Sequence, residues 1–247
     1  MKRFIFLFLL ITSISLNAQV VIYGSESAAS SGEDWAAGNG FDQWGESFDH
    51  GSNTGKYIGN PSDGGLSTSD LGTSAFAFFG SWSNGYCNMY LTFDEPMQVG
   101  EKLTFYWGMN WDQAGGGSKG FDIQHSGSGT GTGTAIVTTS STGSTSTIVV
   151  SGEDADTGYG TNAMFVTLNR DSGSSYIFTM TKRSDGSTFT KNITNSNAAN
   201  QIKIFIGNQG DGNGNRNIFF NHFKITSNSA NASVSNDRSL DNLEIEN

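Results

Sequence analysis

The stretch LTFYWGMNWDQAGGGSKGFDI, Leu103 to Ile123, decides what kind of protein this is. Phe105, Tyr106, Trp107 and Trp111 crowd its first half, and the three glycines Gly115 to Gly117 follow. Side chains along a strand point alternately to opposite faces, so odd and even positions separate. The odd set is Leu103, Phe105, Trp107, Met109 and Trp111, all apolar and large. The even set is Thr104, Tyr106, Gly108, Asn110 and Asp112. The segment reads as a strand that turns its tryptophans into a core, with Trp111 at the rim, rather than as an aromatic platform for a ligand.

The preceding run repeats the split. Cys87, Met89, Leu91 and Phe93 share an apolar face, opposite Tyr86, Asn88, Tyr90 and Thr92. Further short alternating runs bounded by Gly, Asn, Ser and Asp predict strands over Gly55–Ile58, Ser74–Phe79, Tyr86–Phe93, Lys102–Trp111, Gly120–Gln124 and Thr134–Thr139. The same pattern continues over Thr145–Val150, Ala163–Asn169, Ser175–Thr181, Thr188–Ile193, Gln201–Ile206 and Ile218–Thr226. Helical periodicity is nearly absent, with one short candidate at Ser27–Ala37. About a dozen short strands with turn signals between them predict an all-β protein, a single jelly-roll-like antiparallel two-sheet β-sandwich.

Composition fits that class and narrows function. The chain has 247 residues with 33 Gly, only 2 Pro, 12% aromatic and 15% charged residues. The aromatic content supplies enough buried area to offset chain entropy, which excludes wholesale disorder. A formal charge of −10 repels nucleic acid phosphates and anionic lipids, so neither is an expected partner. A single cysteine, Cys87, excludes an internal disulfide.

The opening MKRFIFLFLLITSISLNAQ reads as a secretory signal peptide: Lys2 and Arg3, an apolar run from Phe4 to Ile11, and small residues ending at Ala18. Expected organisation is therefore a signal peptide over 1–18, a sandwich domain over 19–226 and a disordered polar tail or linker over 227–247. The predicted location is extracellular or cell-surface, with no membrane insertion after cleavage. Residues Ser126–Ser146 form a low-complexity, Thr-rich segment whose Thr-x-Thr rows could order water; its glycines favour a flexible hairpin.

No complete catalytic or cofactor motif is present. His50, His125 and His222 lie far apart and in no zinc spacing. The acidic run Glu153 to Asp156 invites a glycosidase carboxylate pair, yet it sits in a Gly-flanked loop suited to a solvated turn. Asp211, Asn213 and Asn215 are spaced two apart and offer hard oxygen ligands to calcium; Glu26 and Asp42 are candidates to complete the site. Arg216 and His222 stand where a twelve-residue calcium loop needs Gly and Glu, so a helix–loop–helix site is excluded, and a plain Asn/Gly turn is the alternative.

The ordered segments GFDQW (Gly40–Trp44), KYIGNPSDGG (Lys56–Gly65), SAFAFFG (Ser74–Gly80), VGEKLTFYWGMNWDQAGGGSKGFDIQ (Val99–Gln124) and NRNIFFNHFKIT (Asn215–Thr226) resemble a group of secreted bacterial β-sandwich modules. The closing strand is similar to that of jelly-roll carbohydrate-binding modules, which carry paired Asp or Asn there; this chain has Asn221 and His222, so the acidic calcium ligand that the resemblance implies is missing. The tail ending in LDNLEIEN resembles the linker before a type IX secretion sorting domain.

The leading functional expectation is a secreted, non-catalytic glycan-binding protein whose partner is a polysaccharide or cell-surface glycan. Aromatic rings stack on sugar C–H faces while Asn and Asp bond hydroxyls, which nominates Trp82, Tyr86, Asn88, Tyr90, Tyr106, Asn110 and Asp112. A structural or adhesive matrix protein is the alternative. A polysaccharide-degrading enzyme using Glu153, Asp154 or Asp156 is the third reading.

Overall fold

The computed structural model describes residues 19–26, 28, 45–52, 54–80, 85–93, 95–109, 118–126, 133–142, 147–155, 162–207 and 217–228. Two antiparallel sheets face each other across one core. The first holds β1 (Gln19–Glu26), β3 (Thr54–Gly59), β4 (Ala75–Gly80), β6 (Glu101–Met109), β11 (Met164–Ser172), β12 (Ser175–Lys182), β13 (Thr188–Thr194) and β15 (Ile218–Asn228), in the order β13-β12-β11-β6-β15-β4-β3. Strand β15 pairs with β6 on one edge; on the other it pairs with β4 through Ile218–Phe220 and with β1 from Phe223 onward.

The second sheet holds β2 (Gly45–His50), β5 (Tyr86–Thr92), β7 (Ser118–His125), β8 (Thr134–Thr142), β9 (Ile148–Val150), β10 (Glu153–Asp154) and β14 (Gln201–Gly207), in the order β10-β9-β8-β7-β14-β5-β2. Every strand predicted from alternation is present within a few residues. β1, β2 and β10 were not predicted, because β2 (GESFDH) and the two-residue β10 carry no apolar alternation. The helix expected at Ser27–Ala37 lies almost wholly outside the described residues.

The core is what the parity of the opening stretch requires. Leu103, Phe105, Trp107 and Met109 are fully buried. Phe121 of the opposite sheet meets Phe105 edge-on at 4.9 Å and Trp107 edge-on at 5.1 Å, which locks the two layers together. Phe220 and Phe223 complete this aromatic centre. Cys87 is buried in the same core, and burial pushes its thiol pKa well up, so it behaves as a small apolar side chain.

A second, smaller cluster lies on the other side of the eight-stranded sheet. A 3-10 turn, Pro61–Gly64, and a one-turn helix α1, Thr68–Leu71, lay Leu66 and Leu71 over Ala75, Ala77 and Phe219. Asn60 and Ser67 cap the two turns by accepting from Ser62 N–H and Ser69 N–H. Gly108 of β6 lies beneath this cover: a Cβ there would stand 3.0 Å from Leu71 Cδ1 and 3.2 Å from Leu66 Cδ1, so the close seat depends on the missing side chain.

Candidate functional site

The outer face of the eight-stranded sheet carries a shallow groove of about 270 Å³ across β11, β6 and β15, beside the small cover just described. Alternation places its residues. β6 sends Leu103, Phe105 and Trp107 inward and so turns Lys102, Thr104 and Tyr106 outward. β11 buries Met164, Val166 and Leu168 and turns Phe165 and Thr167 outward. Register sets Phe165 opposite Tyr106 and Thr167 opposite Thr104. The Tyr106 and Phe165 rings lie 4.7 Å apart with planes tilted 39°, forming the aromatic floor at one end.

Strand β15 reaches the same face by breaking alternation. Its register with β6 shifts between Asn221 and Lys224, and His222 adopts φ 59, in the left-handed region. This bulge keeps both Phe220 and Phe223 in the core while Asn221, His222, Lys224 and Thr226 face outward. The His222 and Tyr106 rings stand nearly perpendicular, at 85°, with centroids 6.0 Å apart. Burial lowers its pKa, so the imidazole is neutral near pH 7.

Asn221 fixes the bulge. It is buried at 1% exposure, its Oδ1 accepts from Ala28 N–H and His222 N–H at 3.0 Å each, and its Nδ2 donates to Leu71 O at 2.6 Å and Ser74 O at 2.8 Å. One side chain thus ties the N-terminal segment, α1 and the entry to β4 to the closing strand.

Charge in the groove runs against that of the chain. Among the eight side chains lining it are Lys102 and Lys224 but no carboxylate, in a protein of net charge −10. Thr104 and Thr167 add polar lining, while Thr226 is buried at the groove's base at 2% exposure, its hydroxyl covered.

The sequence-predicted ligand face divides. Tyr106 lines the groove, but Tyr86, Asn88 and Tyr90 stand on β5, in the other sheet, so the tyrosines do not form one surface. The chain crosses between sheets in the β5–β6 connection, and adjacency in sequence gave no adjacency in space. Tyr90 is also buried, at 6% exposure, where an exposed ring was expected. Tyr86 is exposed and donates its hydroxyl to Asp49 at 3.3 Å, and the Asp49 charge raises its pKa. Asn88 is half-buried opposite Asp49 and Phe205.

Trp82, Asn110 and Asp112 lie outside the described residues, as do Asp211, Asn213 and Asn215 of the candidate calcium site. Among the described residues no group of three or more His, Cys, Asp or Glu side chains converges. Of the acidic loop, Glu153 and Asp154 are exposed on β10, and Glu153 accepts from Lys191 Nζ at 2.6 Å; Asp156 lies outside the described residues. Phe165, Thr167, Lys102, His222 and Lys224 were not nominated from sequence. Parity on β6 and β11 carries the signal for the first three, whereas the bulge hides the facing of His222 and Lys224.

No family model matches the chain, and no curated protein sequence matches it. Among solved structures, it is similar to a carbohydrate esterase from Shiga toxin-encoding bacteriophage phi24B, with TM-score 0.52 and 11% identity over 86% of this chain and 100% of that one. It is similar to the family 11 carbohydrate-binding module from Clostridium thermocellum at TM-score 0.36 and 11% identity, over 75% and 89% of the two chains. Similarity to the receptor binding domain of botulinum neurotoxin D has TM-score 0.37 and 12% identity over 79% of this chain, which spans 48% of that one. At 11% identity the likeness to the esterase, at TM-score 0.52, is one of fold alone. Among the described residues no helix is long and apolar enough to cross a membrane.

Proposed function

We propose that the protein binds glycan chains outside the cell, without cleaving them, through the groove on β11, β6 and β15. The observation that carries this reading is the Tyr106–Phe165 ring pair set among threonine and lysine side chains on an open, sheet-borne face. A sugar offers an apolar C–H face and a rim of hydroxyls, and it needs an aromatic floor and a polar border side by side. Here both come from strands whose inward faces are anchored in the core, so the site is held before ligand arrives. The likeness in fold to a carbohydrate esterase is in keeping with glycan-related work. The apolar run at residues 4–11 behind Lys2 and Arg3, read as a secretory signal peptide, supports export.

Affinity electrophoresis of the mature protein against a panel of polysaccharides tests the reading. Retardation by at least one glycan, abolished by Tyr106→Ala in a variant that still melts cooperatively, is expected. Unretarded migration on every glycan would sink it.

A further inference from the structure

Resting on the glycan-binding reading, we infer that the groove selects acidic polysaccharides, chains of carboxylate-bearing sugars, with Lys102 and Lys224 as the groups that hold the carboxylates. Ion pairs among the described residues include Lys56 with Glu46, Lys182 with Asp185, Arg183 with Asp70 and Lys191 with Glu153. Lys102 and Lys224 enter none of them. Both are half-buried, their stems lying on the sheet, and an ammonium with no carboxylate beside it is free to bond an incoming anion.

Their placement suits a chain rather than a single ion. Lys224 stands opposite Thr104 and Lys102 opposite Thr226, so the two lysines are diagonal neighbours on adjacent antiparallel strands, about 7–8 Å apart at the backbone. Like charges so placed repel each other, and a carboxylate between them removes that repulsion. Tyr106 lies one step further along β6, opposite Phe165. A sugar ring stacked there projects its ring-edge carboxylate over the Thr104–Lys224 row, where the Thr104 and Thr167 hydroxyls flank it. The neutral His222 imidazole adds hydrogen-bonding capacity without competing charge.

The net negative charge of the whole chain does not oppose this at working ionic strength. Exposed charges beyond about 8–10 Å are largely screened, so the local lysines decide. Binding so built weakens as salt is raised.

The test compares polygalacturonate, alginate and hyaluronate with their carboxyl-reduced, neutral counterparts by titration calorimetry on the mature protein. At least one acidic polymer is expected to bind tenfold or more tightly than its reduced form, with affinity falling as sodium chloride rises. The double variant Lys102→Met with Lys224→Met keeps the apolar stems and is expected to bind both forms alike. Because the polymer comparison needs no variant, a double variant that fails to fold leaves the test intact. Equal binding of acidic and reduced polymers, or binding to neutral glycans alone, overturns the inference and leaves glycan binding standing. A folded double variant that still prefers the acidic polymer likewise overturns the assignment to these lysines. Failure of every glycan to bind removes both readings.

Discussion

The Tyr106 ring packs against Phe165 at 4.7 Å while the His222 ring stands nearly perpendicular to it, at 85° and 6.0 Å, so one tyrosine joins the three strands of the groove. Its ring also touches the small outer cluster under Leu66 and Leu71. Aromatic pairs of this kind contribute about 0.5–1.5 kcal/mol beyond their buried area. Tyr106→Ala is expected to lower stability by about 2 kcal/mol and to weaken glycan binding at least tenfold, whereas Tyr106→Phe keeps most of both. Chemical denaturation and calorimetry on the same preparations check this. A Tyr106→Ala variant that binds like the parent would remove the groove from consideration.

Asn221 satisfies four backbone groups from one amide, and no apolar side chain can replace it there. Asn221→Leu leaves the Ala28 N–H and the Leu71 and Ser74 carbonyls without their partner. Each buried orphan costs about 1–3 kcal/mol, so a loss of roughly 3 kcal/mol or more is expected. Asn221→Asp keeps the acceptor but aims a carboxylate at two carbonyl oxygens. Its penalty should shrink in acid, where the protonated carboxyl can donate again. Urea midpoints at two pH values measure both effects, and an Asp variant whose penalty is independent of pH would contradict the assigned donor role.

His222 gives the groove a pH signature with a fixed sign. Burial lowers its folded pKa, so the unfolded chain takes up the proton first as pH falls. Stability from this group is complete above about pH 6.5, the ordinary histidine value, and is lost as pH falls from there toward the lowered folded value. His222→Asn removes the titrating group while suiting the left-handed backbone at φ 59. The parent is expected to lose more stability than this variant between about pH 7.5 and pH 5.5. Parallel curves for the two proteins would show that His222 does not titrate against folding.

How far the sequence could be read depends on whether alternation held. Along β6 and β11 it holds throughout, so the burial of Leu103, Phe105 and Trp107 was legible from spacing alone. The groove's aromatic floor was legible on the same terms, since Phe165 falls between buried Met164 and Val166. On β15 the Asn221–His222 bulge adds one residue to a face, and every facing beyond it is inverted relative to simple parity. His222 and Lys224 were hidden for that reason. Grouping Tyr86 and Tyr90 with Tyr106 failed for another: parity fixes the face of a strand, not the sheet it joins, and β5 and β6 belong to different sheets. The covering of Tyr90 is likewise a tertiary fact with no local signature.

Trp107 offers a sharper test of the core than its removal alone. Its ring is fully buried edge-on to Phe121, yet its Nε1–H has no hydrogen-bond partner among the described residues. Trp107→Ala opens a cavity between the sheets and is expected to cost about 3–5 kcal/mol. Trp107→Phe also loses volume, but it retains an edge contact to Phe121 and removes a buried donor whose desolvation costs about 1–3 kcal/mol. The two terms oppose each other, so Trp107→Phe should fall within about 2 kcal/mol of the parent, far closer than alanine does. Urea denaturation of parent, Phe and Ala proteins, with equal slopes to confirm the same exposed surface, supplies the comparison. If phenylalanine costs as much as alanine, the indole nitrogen holds a partner that stabilises the fold, and tryptophan is required at this position for its polar atom as well as its size.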